Sequence, residues 1–258
     1  MFLFGVINCS PDSLHQESIV RNAAEALARI EFLRSTGAQG LDVGGQGSTG
    51  IATVVDTETE WARLREVLPL AVQQGELVSV DTWRHEVMRR SMELGVNVLN
   101  AADGMSTAES WEIAAEFQAT VVLPFLNGPN PHALTHVVGD PLDAMVDFFR
   151  DRLRLADRYG LRNRCLLDPG TGFGPAGWEW SDRYLYQREV YSNLDRLRVF
   201  DLPLYIPLPW KITEQHLELL DIVLAKRPEY GRAHDPGHIR RAEAAVLKAA
   251  ANEPGDAR

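Results

Sequence analysis

The chain has 258 residues, 45% of them hydrophobic and 24% charged, the size and balance of one soluble globular domain. A formal net charge of −10 argues against broad nucleic-acid binding, and no apolar run approaches the length of a membrane span. Cys9 and Cys165 sit in or beside strand-like runs without any CxxC or Cys/His cluster, so they read as small buried hydrophobes of a cytoplasmic protein.

The first element is a strand over 2–8 that ends in Asn8. Its apolar stretch lacks a basic flank and is too short for a signal peptide. Helical spacing follows over 23–35, with Gly37 as a stop. Residues 40–45 read as a strand that breaks at Gly44 and Gly45. A helix is predicted over 57–73, with Glu58 and Glu60 one turn before Arg63 and Arg65. Residues 77–81 are a strand and 84–94 a helix. A strand over 96–101 precedes a helix to 118 that Ser106 is expected to cap. Residues 120–125 form strand five, followed by a long loop of Pro, Asn and His over 127–138 and a helix over 141–159. Strands at 164–168, 202–208 and 230–234 alternate with helices near 182–197, 213–226 and 238–251. The polar tail 252–258 is expected to fray.

This β-α alternation favours a parallel sheet but does not separate a closed barrel from a doubly wound sheet. Eight units in 258 residues tilt the choice to a single-domain (β/α)₈ TIM barrel spanning the chain. Such a barrel keeps its chemistry at the C-terminal ends of the strands. Asp81, Asn100 and Asp168 each stand there. Two carboxylates and an amide suit a flat heterocycle with several N–H donors and carbonyl acceptors, and Lys211 adds a donor. The plain alternative for each is a cap or a turn, above all for Asp168-Pro169-Gly170.

Asn8, Arg232 and His234 form a second group, brought together because strands one and eight are neighbours in a closed barrel. Arg and His suit phosphate oxygens, and Asn suits phosphate or magnesium. The alternative is an Arg232–Asp235 rim ion pair beside a satisfied histidine. Trp178, Trp180 and Trp210 lie near loops, where they either stack on a ligand or pack over the rim. No GxGxxG, Walker A, GxSxG or HExxH motif is present.

The same residues resemble the dihydropteroate synthase family over nearly the whole chain. Residues 5–13 (GVINCSPDS) resemble its Asn-x-Thr-Pro-Asp-Ser loop, and residues 41–49 (LDVGGQGST) its Asp-x-Gly-Gly-Glu-Ser-Thr segment. SVDT at 79–82, DPGTGFG at 168–174 and RAHD at 232–235 follow in order. The resemblance implies a pterin held by Asp81, Asn100, Asp168 and Lys211. It implies a diphosphate held by Asn8, Arg232 and His234, with Mg²⁺ at Asn8. Asp42, Ser48, Thr49, Phe173 and Trp210 are the implied loop contacts. The implied reaction joins 6-hydroxymethyl-7,8-dihydropterin diphosphate to 4-aminobenzoate, within a homodimer.

The departures fall in the loops. Leu14-His15-Gln16-Glu17-Ser18 stands where the family has Phe-Ser-Asp-Gly-Gly. Gly50-Ile51-Ala52 stands for Arg-Pro-Gly, and Pro209-Trp210-Lys211 for Ser-Arg-Lys. The family glutamate is replaced around Gln46–Gly47. His15, Arg84 or Trp210 is available to compensate. Three other readings follow: a relative with a changed acceptor or hydrolytic reaction, a non-catalytic pterin binder, or a methyl transferase from reduced folate to a corrinoid protein. The SPDS and RAHD stretches argue against the last.

Overall fold

Strand runs this apolar on both faces need a cover of helices. That is the arrangement in a computed structural model, which describes residues 1–12, 15–47, 52–74 and 77–252. The strands are β1 (Phe2–Asn8), β2 (Gly40–Gly44), β3 (Leu77–Thr82), β4 (Val98–Ala101), β5 (Thr120–Pro124), β6 (Cys165–Asp168), β7 (Tyr205–Pro207) and β8 (Tyr230–Ala233). They run parallel in the order β6-β5-β4-β3-β2-β1-β8-β7. Leu167 bridges Leu204, and its N–H donates to Pro203 O at 2.9 Å, which joins the two edges. The structure is the expected (β/α)₈ barrel.

The helices are α1 (Ala23–Ser35), α2 (Thr57–Leu64), α3 (Leu68–Val72), α4 (His85–Glu93), α5 (Ala108–Glu116), α6 (Pro141–Arg158), α7 (Trp180–Ser192), α8 (Glu214–Ala225) and α9 (Pro236–Asn252). The helix predicted over 57–73 is divided into α2 and α3. Pro69 has no N–H to continue the ladder, so a new helix starts around it. Glu58 and Glu60 do not pair along α2. Glu58 reaches Arg90 and Glu60 reaches Arg84. Thr107, not Ser106, caps α5 by accepting from Ser110 N–H, while Ser106 donates to Asp103. β7 is shorter than its apolar run because Pro203 and Pro207 limit the ladder. Of the tail 252–258 expected to fray, Asn252 ends α9 and residues 253–258 lie outside the described residues.

The barrel axis is filled at the bottom by Phe4, Val98, Val122, Leu166 and Tyr205, a cluster of its own. Side chains on one strand face repeat every two residues. Two positions beyond Val98, Leu166 and Tyr230 stand Asn100, Asp168 and Arg232. The apolar plug therefore sets a polar layer above it at the mouth. Cys9 and Cys165 are free and buried, and burial pushes both thiols up to about 12, so they act as packing groups. Among the described residues, no helix is long and apolar enough to cross a membrane.

Candidate active site

Asp42 on β2, Asp81 on β3, Asn100 on β4, Asp168 on β6 and Arg232 on β8 converge at the mouth. Arg232 Nε donates to Asp42 Oδ2, and its Nη2 donates to Asp81 Oδ2 at 3.1 Å. Asn100 Nδ2 lies 3.4 Å from both oxygens of Asp42. Asp42 is 0% exposed, so it is the inner counter-charge of the group rather than a loop contact. The rim pair between Arg232 and Asp235 does not form; Asp235 instead accepts from His238 N–H at 3.0 Å.

Asp168 Oδ1 accepts from Gly170 N–H at 2.7 Å. Gly170 has φ +69°, and a Cβ there would lie 2.0 Å from Phe125 O, so only glycine turns the chain this tightly. The DPG turn and the site carboxylate are thus one structure. The two readings of Asp168 are not exclusive.

Three carboxylates share one guanidinium in this layer. Burial pushes Asp168 up to about 7, against the pull of the Gly170 N–H and Arg232. Burial also raises Asp81, opposed by Arg232 and helped by Asp42 and Glu60. Burial opposes the charge of Arg232, but Asp42 and Asp81 outweigh it and raise the guanidinium above its ordinary value. Carboxyls raised on folding hold protons that the unfolded chain releases. Their contribution to stability is therefore full below about pH 4 and lost as pH rises through about 7. Urea midpoints are expected to fall between pH 5 and pH 8, and to fall less in Asp168→Asn. An equal fall in both proteins would show that Asp168 is not titrating there.

Across the mouth, Asn8 Nδ2 donates to Ser18 Oγ at 2.6 Å. The His234 ring stacks on His15 with centroids 4.5 Å apart, and Trp210 meets both rings edge-on. Burial, with Arg232, His15 and Arg29 nearby, pushes His234 down to about 2. His234 is therefore neutral in the unbound protein and offers an N–H rather than the charge expected of it. Its Nδ1 has no partner among the described residues. Arg29, which the sequence reading missed, is 8% exposed and donates to Val6 O and to His234 O. It ties the ends of β1 and β8 together. An arginine on a helix ordinarily belongs to a solvated face, so the sequence carries no sign of this role.

One cavity of about 310 Å³ is lined by part of this set; Asp42, Asn100 and Asp168 are not among its lining residues. Asn8, His15, Asp81, Arg232 and His234 line it together with Trp180, Arg183, Trp210, Lys211 and His216. Lys211 is exposed and lies 5.3 Å over the Trp210 ring, apart from the acid layer. Phe173 lines a separate shallow groove with Phe125 and Trp178. Of the three loop tryptophans, two therefore face the main cavity and one covers the rim.

Residues 4–206 match the profile of the family described as pterin binding enzyme. The chain belongs to the pterin-binding enzyme family. This pterin-binding enzyme is 31% identical over 186 residues to a probable bifunctional folylpolyglutamate synthase/dihydropteroate synthase of Halobacterium salinarum, covering 70% of the chain but 23% of that relative. It is 29% identical to the dihydropteroate synthase of Synechocystis over 67% of the chain, and spans 61% of that relative's length. Against the Escherichia coli K12 dihydropteroate synthase it is 29% identical over 213 residues, 81% of the chain and 73% of the relative. The fold matches the Yersinia pestis dihydropteroate synthase solved with a sulfonamide drug complex, with a TM-score of 0.83 and 23% identity over 97% of this chain and 94% of that one.

The loops of this pterin-binding enzyme have their own bracing where the family signature changes. Gln46 is 4% exposed; it donates to Thr53 O at 2.8 Å and accepts from Val55 N–H at 2.8 Å. Asp12 of the first loop accepts from Thr53 N–H at 3.2 Å, which couples the two loops. Arg63 donates to Gly45 O at 2.9 Å. Arg84 pairs with buried Glu60 and donates to Val55 O. Arg84 thus holds the second loop's return and does not line the cavity. Ser48 and Thr49 lie outside the described residues.

Proposed function

We propose that this pterin-binding enzyme works as a dihydropteroate synthase, joining a 6-hydroxymethyl-7,8-dihydropterin diphosphate to 4-aminobenzoate. The observation that carries this reading is Asp81, bonded to Arg232 and lining one cavity with Asn8, Arg232 and His234, while Asn100 and Asp168 stand at strand ends in the same polar layer. The chain spans 23% and 61% of two of its relatives, so the activity is proposed for this chain on its own residues.

In this reading Asp168 and Asp81 accept the ring's N–H donors and Asn100 gives and takes one bond each. Lys211 swings in from its exposed position to a ring acceptor. Arg232 meets the diphosphate with Nη1, the nitrogen that Asp42 and Asp81 leave without a partner among the described residues. His234 donates an N–H, and Asn8 its amide. The methylene C–O bond then breaks and pyrophosphate leaves with the bonding pair. The arylamine nitrogen forms the new C–N bond and loses a proton. The protein's task is to position the ring and neutralise the departing charge.

Magnesium fits as an ion carried by the diphosphate. No group of three or more metal-binding side chains occurs among the described residues, and Mg²⁺ commonly keeps its waters and takes few protein ligands beside substrate phosphates. Asn8 would hold it through the amide oxygen, with the two Nδ2 hydrogens left to Ser18 and the phosphate. When bound, the ion would neutralise the leaving pyrophosphate. The proposal includes a cytoplasmic homodimer through the late helices, supported by Leu185 on α7 at 59% exposure. Light scattering that finds only a monomer removes the dimer.

Supplying the pterin diphosphate and 4-aminobenzoate is expected to yield pyrophosphate and dihydropteroate in equal amounts. Pyrophosphate alone would replace the reading with hydrolysis or another acceptor. Tight pterin binding with neither product would leave a binding protein. The raised carboxyls add a pH signature. A donor-rich ring needs them ionised, so pterin affinity is expected to rise from pH 6 to pH 8 with release of protons. Calorimetry in two buffers of different ionisation enthalpy measures this, and affinity falling with pH would contradict it.

A further inference from the structure

Arg183 sits on α7 beside the main cavity, largely shielded from water. Its Nη2 donates to Gly172 O at 2.8 Å and lies 3.4 Å from Thr171 O, and its Nε is buried without a partner among the described residues. Among the described residues no carboxylate lies within ion-pairing distance of Arg183 or of Lys211, which lines the same cavity. Arg188, one turn further on α7, does pair, with Glu218. A guanidinium taken out of water without a counter-charge is costly, and the counter-charge can arrive with a ligand.

The walls beside it are aromatic. Trp180 and His216 stack at 4.1 Å with planes 4° apart, and Trp210 lies across the same cavity. Burial lowers the His216 imidazole, and the charges of Lys211 and Arg183 lower it further, so positive potential converges there. A planar fork that favours carboxylates, set among ring faces, is a site for an aromatic carboxylate.

We propose that Arg183 is the specificity-determining residue for the carboxylate of the arylamine acceptor. This rests on the transferase reading above and adds to it a residue outside the family's loop signatures. The position has a physical logic. The loop segments Gly50-Ile51-Ala52 and Pro209-Trp210 lack the arginine and serine of the resembling family, and Arg183 brings a cation to the same cavity from the neighbouring helix. Because Arg183 also holds the Thr171–Gly172 backbone, it ties acceptor recognition to the loop that follows Asp168.

The test compares 4-aminobenzoate with its neutral carboxamide, each titrated calorimetrically into protein saturated with pterin and pyrophosphate. The wild type is expected to prefer the acid by about tenfold or more, the size of one charge-assisted bond. Arg183→Gln, which keeps N–H donors but no charge, is expected to bind both acceptors alike, with pterin affinity unchanged. In turnover its KM for 4-aminobenzoate should rise about tenfold with kcat nearly kept. Arg183→Lys keeps charge but loses the fork, and a several-fold weaker preference is expected. Where Arg183→Gln loses pterin affinity through a disturbed loop, Arg183→Lys decides. An acid preference unchanged in a variant that still binds pterin overturns the proposal, as does a wild type that binds neither acceptor or both equally. A wild type that prefers the acid but forms no dihydropteroate keeps this site and removes the reaction.

Discussion

Asp168→Asn is expected to weaken pterin binding by about a hundredfold or more, the loss of paired charge-assisted bonds to a donor-rich ring. Asparagine fits the space and still offers an oxygen to the Gly170 N–H, which Asp168 Oδ1 receives at 2.7 Å. The turn should therefore survive. What changes is the second atom, which becomes a donor facing another donor. Asp168→Ala should lose comparable affinity and also leave the Gly170 N–H unsatisfied, so its stability falls further. Calorimetry with a pterin ligand reads the affinity and urea denaturation reads the turn. Wild-type affinity in both variants would remove Asp168 from the binding site.

Arg232→Met is expected to destabilise the protein by about 3–5 kcal/mol at pH 8, as when one partner of a buried ion pair is removed. Asp42 is 0% exposed and Asp81 is 8% exposed, and Arg232 supplies a bond to each. Without the guanidinium both carboxylates remain buried beside each other and near Asp168. They can escape only by taking protons. The cost should therefore shrink when unfolding is measured at pH 5 rather than pH 8. A pH-independent cost would mean that lost packing, not charge, destabilises the variant. Diphosphate affinity should fall at both pH values, since the proposed contact is gone.

The strand ends were legible because their pattern is local. Asp81, Asn100 and Asp168 each follow an apolar run, and a period of two carries each to the same layer. The helix boundaries that failed were also local but depended on competition. Pro69 divides a helix whose hydrophobic spacing continues through it, and Thr107 takes the cap that Ser106 is equally fitted for. Asp42 was legible as a position and misread in role, because nothing near it in the chain signals that Arg232, 190 residues away, bonds to it. Arg183 left no signal at all. A helical arginine reads as solvated unless the cavity it faces is known.

The sequence alone determined the alternation of eight strands and their covering helices, the glycine that Asp168's turn requires, and the ordered motifs of the pterin-binding family. These depend on backbone sterics, side-chain period and residue type, all written along the chain. Only the tertiary structure decided which charges meet. It gave Arg232 to Asp42 and Asp81 rather than to Asp235, made His234 neutral, set Lys211 apart from the acids and left Arg183 facing a cavity without a counter-charge among the described residues. Those outcomes turn on burial and on distances between residues far apart in the chain. Desolvation and Coulomb energy depend on both, and neither is a property of a residue in isolation.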